Sequence, residues 1–247
     1  MVGLFSLSIA TALADDPSLI VVSATNAKFQ PGDKVPATQS LTLAAGQSVT
    51  LIAADGSVTT LNGPFTGAPT AAATAKTASV TDMLSPLLKK AATEQATPGV
   101  IRGTGDQATA AALASGNVAT GPDTDPWVID SSHGGDVCIH QAVEYDMWRP
   151  NASQPATLTL APVGGKADQA TSLQFKGGTS RVGVPDSVIF KDGGQYKITG
   201  PNGSETITVH TIPETVPATN KITAAWFLQK HCQVQAEALA KWLVSSN

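Results

Sequence analysis

The chain has 247 residues, a formal net charge of −4 and only 14% charged side chains, against roughly 25% in an average soluble protein. That length allows one large or two small domains. No extended run of Lys or Arg supplies the basic footprint that nucleic acid or an anionic membrane surface requires, so neither is expected as a partner.

Residues 1–14, MVGLFSLSIATALA, read as a signal peptide. Val2 to Leu13 are apolar or small, and Ala12-Leu13-Ala14 gives the small-x-small pattern of a cleavage site, although the n-region carries no Lys or Arg. Cleavage there leaves a mature chain starting at Asp15. No later segment approaches the ~20 apolar residues of a membrane-spanning helix. The mature chain is expected to have no membrane span and to be periplasmic or secreted.

Residues 15–65 carry a β pattern. Leu41, Leu43, Val49, Leu51, Val58 and Leu61 alternate in short runs, broken by turn residues at 31–33 (PGD), 44–46 (AAG) and 54–56 (ADG). The expectation is a small meander. Residues 66–125 are rich in Ala, Thr, Gly and Pro, a composition that buries little apolar area and so cannot offset its own ordering entropy. They read as a linker with one short amphipathic helix over 80–94, where Met83, Leu84, Leu87 and Leu88 form a stripe at helical spacing. Pro86 is expected to limit that helix or shift its start.

From 126 to 247 the β pattern resumes. The first long strand, DVCIHQAVEYDMWRP, and about five shorter ones are separated by GG, DGG and PNG turns. A terminal helix over 220–244 closes the region. The fold class is therefore mainly β: a small N-terminal β meander domain, then a C-terminal β-sandwich-like domain closed by an α-helix.

That helix carries His231 and Cys232, and the chain has only two cysteines. Ala225, Leu228, Cys232, Ala236, Leu239 and Leu243 fall at spacings of three and four, which puts Cys232 on the buried stripe and turns His231 about 100° away. A catalytic thiolate needs exposure and an electropositive setting, and this position offers neither. A zinc site built from Cys138, His140, His231 and Cys232 would need adjacent helical residues to converge on one ion, whereas structural sites space paired ligands by two or more. Two cysteines in an exported chain suit a disulfide, Cys138–Cys232. No metal and no cofactor is expected.

DSSHGGDVC (130–138) brings Asp130, Ser131, Ser132, His133 and Asp136 together. A hydrolase would use His133 as base and the Gly134-Gly135 amides as an oxyanion hole. No GxSxG elbow accompanies them, so a polar turn is the preferred reading and no catalytic residue is assigned. Glu144 and Asp146 share a strand face and read as the wet side of a sheet. Asn151 and Asn202 each begin a glycosylation sequon. Trp127, Tyr145, Trp148 and Arg149 are the candidate binding surface, with burial in a sandwich core as the competing role for the aromatic rings.

The stretch FQPGDKVPATQSLTLAAGQSVTLIAADGSVTTLNGPFTG, residues 29–67, resembles a FecR-like periplasmic β-domain, through Pro31-Gly32, Gly46, Asp55-Gly56 and Gly63-Pro64. The C-terminal half resembles a family of alphaproteobacterial envelope proteins through Cys138, Trp148-Arg149-Pro150, Asp192-Gly193, Tyr196, Cys232, Gln235-Ala236 and Leu239. The resemblance implies a periplasmic location and no catalytic residues. The expected function is that of an exported, non-catalytic binding or scaffolding module, whose partner is an envelope protein or a glycan. Two alternatives stay open: a periplasmic hydrolase using the His133/Asp136 loop, and a sensor that docks a partner through the linker helix.

Overall fold

The computed structural model describes residues 17–71, 76–95 and 125–245. The signal peptide reading of residues 1–14 lies outside the described residues, as do linker residues 72–75 and 96–124.

The fold is mainly β. In the N-terminal region β1 (Ser18–Thr25), β2 (Lys34–Pro36), β4 (Ser48–Ile52), β5 (Val58–Asn62) and β7 (Lys76–Ala78) form an antiparallel sheet in the order β2-β1-β4-β5-β7. β3 (Leu41–Leu43) pairs separately with β6 (Phe65–Gly67). The alternation in β4 explains how this sheet is covered on both sides. Val49 and Leu51 face a cluster with Leu19, Val21, Leu41, Leu43 and Leu61, while Ile52 faces the opposite way, with Ile20, Val22 and Val58. β6 and β7 belong to these sheets, so the N-terminal β structure runs past residue 65 into the stretch read as linker. Their short Thr/Ala/Gly sequences carry no alternating apolar pattern, and pairing with β3 and β5 supplies the order.

The linker helix, α1 (Val80–Gln95), runs through Pro86. Val80 and Leu84 are buried in the same core as Ile20 and Ile52, and Met83, Leu87 and Leu88 pack against it. Tertiary packing of the apolar face thus overrides the local effect of proline. The stripe is packed against the chain's own core.

The C-terminal region has two sheets. The larger contains β9 (Gly135–His140), β11 (Ala156–Pro162), β12 (Thr171–Phe175), β14 (Gly194–Gly200) and β15 (Gly203–Ile212), in the order β12-β11-β14-β15-β9. The smaller contains β8 (Val128–Asp130), β10 (Asp146–Trp148) and β13 (Arg181–Gly183), in the order β13-β10-β8. Ile129 and Met147 from the small sheet pack on Leu158, Leu160, Leu173, Ile198 and Ile207 from the large one, which makes the sandwich. The long strand expected over 136–150 is two strands in different sheets. A turn after His140 separates them, closed by Val143 N–H donating to His140 O at 2.9 Å. β8 and β10 consequently run parallel, with β9 between them in sequence but in the other sheet.

The terminal helix is also two elements, α2 (Asn220–Gln229) and α3 (Gln233–Ser245). The break falls at His231, whose φ of 61° lies in the left-handed region. Cys232 N–H donates to Phe227 O at 2.9 Å, the 6→1 bond of a Schellman-type helix end. Ile222 to Phe227 are all buried. They join Ile52, Val58, Val80, Cys138, Ile212 and Leu239 in one cluster, so the helices form a common core with both β regions. The contact is tight at the β4–β5 turn: a Cβ on Gly56 (φ 82°) would lie 2.6 Å from Val80 Cγ1 and 3.0 Å from Lys221 Cβ.

Candidate functional site

Cys138 on β9 and Cys232 at the α2–α3 junction are joined in a disulfide, with Cα atoms 5.8 Å apart and both residues fully buried. The bond closes a separation of 94 residues. Beside it, the buried side chain of Gln235 accepts from Cys138 N–H at 2.6 Å and donates to Cys138 O at 2.6 Å and Pro126 O at 2.8 Å. One amide therefore satisfies both backbone groups of a strand residue. His140 is buried too: its Nε2 lies 2.7 Å from Val216 O, and its Nδ1 accepts from Ala142 N–H at 3.1 Å. His231 is exposed.

The polar loop after β8 is organised by Asp130. Its Oδ1 accepts from Ser132 N–H at 2.8 Å and Ser132 Oγ–H at 2.6 Å, and its Oδ2 lies 2.7 Å from His133 Nδ1. In a nucleophilic triad the serine faces Nε2 of the base and the acid faces Nδ1. Here Ser132 directs its proton to the carboxylate, and its oxygen is nearest Nδ1, at 3.1 Å. The His133 side chain is 65% exposed. Asp136, the companion of His133 in the hydrolase alternative, pairs with His210, across the parallel β9–β15 pair, at 2.7 Å. The two histidines thus belong to separate pairs, and the His133/Asp136 combination does not form.

Glu144 is exposed, while Asp146 binds Arg181 at 2.9 Å. Arg181 also binds Asp125 at 2.6 Å. Burial alone would lower the guanidinium's pKa, and the bonds and charges of Asp125 and Asp146 more than offset it, raising the pKa above its usual value. This pair of bridges fastens the segment entering β8 to β10 and β13.

The candidate binding residues separate. Trp127 packs edge-on against Phe227 (5.6 Å between ring centroids) and His140 (6.0 Å) in the helical core. Tyr145 packs against the sandwich core, its ring tilted over Phe190 with centroids 5.5 Å apart. Trp148 is half-buried and its indole N–H is sealed without an acceptor. The three rings do not make one exposed platform, and only Arg149 lines a cleft.

That cleft, of about 390 Å³, lies at one end of the sandwich. The parallel pairing of β8 and β10 brings Ser131 and Arg149, the residues just after each strand, to the same edge. The β14–β15 hairpin also lines it, through Asn202, Ser204 and Glu205, and Leu158 and Ile198 add apolar surface. Arg149 is 6% exposed. Its Nε and Nη2 donate to Thr179 O at 3.1 and 3.0 Å, Nη2 also reaches Lys176 O at 3.1 Å, and the guanidinium carbon lies 5.0 Å from the centre of the Phe175 ring. Among the described residues no carboxylate pairs with it, and burial pushes its pKa below the usual guanidinium value. Nη1 makes no hydrogen bond among the described residues, yet it is not one of the sealed polar atoms.

The side chains of Ser131, Asn202, Ser204 and Glu205 likewise form no hydrogen bond or ion pair among the described residues. Sequence reasoning reached Ser131 only as part of the polar loop and Asn202 only as the start of a glycosylation sequon, and did not single out Glu205, because such residues look like turn or surface chemistry wherever they stand. The one available signal was the position of a cation, in WRP, at a strand end. Comparison with known protein families, with characterised proteins and with solved structures finds no match for this chain.

Proposed function

We propose that the chain is an exported, non-catalytic binding module of the cell envelope, and that the cleft beside Arg149 is where it holds its ligand. The observation that carries this reading is the convergence of Arg149, whose Nη1 makes no hydrogen bond among the described residues, with Ser131, Asn202, Ser204 and Glu205, whose side chains make none there either, around one concavity. Polar side chains that meet over an apolar floor, in a volume of this order, are the usual constitution of a small-molecule site. The buried disulfide supports a route through an oxidising compartment, and the apolar stretch 1–14 supports export to the periplasm or beyond. Among the described residues no helix is long and apolar enough to cross a membrane.

The test is ligand-observed NMR of the intact chain against a panel of short peptides and oligosaccharides, repeated with Ser204→Trp. That substitution fills the cleft from an exposed hairpin position. Binding that disappears in the variant, with the melting temperature unchanged, is the expected result. Binding that survives the tryptophan would place the ligand elsewhere, and time-dependent conversion of a panel member would replace binding with catalysis.

A further inference from the structure

Resting on the reading of the cleft as a binding site, we propose that its ligand is a small zwitterion, a free amino acid or short peptide with an unblocked amine and carboxylate. Two charged side chains line the same concavity and differ in sign. Arg149 is nearly sealed, with its Nε and Nη2 committed to backbone carbonyls and Nη1 left over. Glu205 is half-buried, and a Cβ on Gly134 would lie 3.0 Å from its Oε2, which locates that carboxylate oxygen against the Gly134 backbone. The two are not ion-paired with each other, and neither has another counter-ion among the described residues.

A buried guanidinium lacking a carboxylate is electrostatically incomplete, and so is a half-buried carboxylate lacking a cation. A purely anionic ligand would complete Arg149 but face repulsion from Glu205. A cation would have the reverse difficulty. A molecule that carries both charges satisfies each end with a charge-assisted hydrogen bond. Its carboxylate accepts from a free Arg149 N–H and from the Ser131 hydroxyl, and its ammonium donates to Glu205. Leu158 and Ile198 give apolar contact to what lies between. The volume of about 390 Å³ suits a molecule of this size.

Calorimetric titration of the full chain with alanyl-alanine, its N-acetyl form, its C-terminal amide and a neutral N-acetylglucosamine disaccharide tests this. The unblocked dipeptide should bind, and either cap should weaken binding about tenfold, the loss expected for one charge-assisted hydrogen bond. Glu205→Gln should remove the preference for the free amine, weakening the unblocked dipeptide and, with the repulsion gone, tightening the N-acetyl form. The variant's melting temperature should match the parent, since the Glu205 side chain makes no hydrogen bond or ion pair among the described residues. Equal binding of capped and uncapped peptides would overturn the proposal. Binding of the disaccharide alone, lost in Ser204→Trp, would also overturn it while leaving the cleft as a binding site. Binding of no panel member would count against both.

Discussion

The N-terminal sheet and the C-terminal sandwich use their polar side chains differently. In the N-terminal sheet the polar groups are spent internally. Thr50 and Thr60 hydroxyls face each other at 3.3 Å across β4 and β5, Thr59 and Thr77 do so at 3.4 Å across β5 and β7, and Gln47 ties two loops by donating to Asn26 O at 2.7 Å and accepting from Ala44 N–H at 2.8 Å. Both faces of that sheet are covered by apolar clusters. At one end of the sandwich a set of polar groups is left idle around a cavity. Idle polar groups in a concave setting contribute little to stability and are available to a ligand. On the proposed function, the first region gives support and the second recognition, with the helices as the joint.

The comparison breaks most severely at that joint. Reducing the disulfide, or replacing both cysteines with alanine, should lower stability by roughly 4–5 kcal/mol in the chain-entropy model. Because Ile52 and Val58 share a cluster with Cys138 and Cys232, scanning calorimetry of the oxidised chain should show one transition that moves as a unit. Two transitions, only one of them sensitive to reductant, would show that the regions are independent. Gln235→Ala comes next. It leaves a buried N–H and two buried carbonyls without their partner, and chemical denaturation should register a loss of about 2–4 kcal/mol. An effect below ~1 kcal/mol would mean that water replaces the amide.

The smallest effect concerns the α1–α3 contact. Burial would raise the pKa of Glu237, but hydrogen bonds from Gln233 and Lys90, with the charges of Lys90 and Lys241, hold it below the ordinary value. A carboxylate with a depressed pKa in the folded state contributes stability above its unfolded pKa, near 4.3 for Glu, and loses it as pH falls through the folded value. Lys90→Ala should therefore destabilise by less than ~1 kcal/mol at pH 7, and the Glu237 share of that loss should shrink as pH falls below about 4.3. A difference that persists in acid would assign the effect to packing of the lysine stem.

Much of the fold was legible because it rests on alternation and turn chemistry. Leu41–Leu43, Ser48–Ile52 and Val58–Asn62 are strands where the pattern puts them, and Met83 to Leu88 lie on a helix. What escaped depends on partners distant in sequence. Nothing local in DVCIHQAVEYDMWRP says that its halves enter different sheets, since a turn at Gln141–Tyr145 contains neither Gly nor Pro. The break at His231 was hidden for the same reason: a left-handed residue is signalled by glycine, and here a histidine takes that conformation while the disulfide and the Phe227 carbonyl fix its neighbour. The cysteine pair was legible by counting. The cleft was not, apart from Arg149, because it exists only once β8, β10 and the β14–β15 hairpin meet at one edge.

The amide of Gln235 has a consequence for self-association. β9 is the outermost strand of the large sheet, and an unpaired outer strand is a template on which another chain can add by backbone hydrogen bonding. By taking both backbone groups of Cys138, the side chain acts as a stop at the middle of that edge, and the disulfide holds the stop in place. A chain that left the oxidising compartment unbridged, or lost α3 to proteolysis, would therefore present an open strand as well as a weakened core. Aggregation would then begin at Gly135–His140.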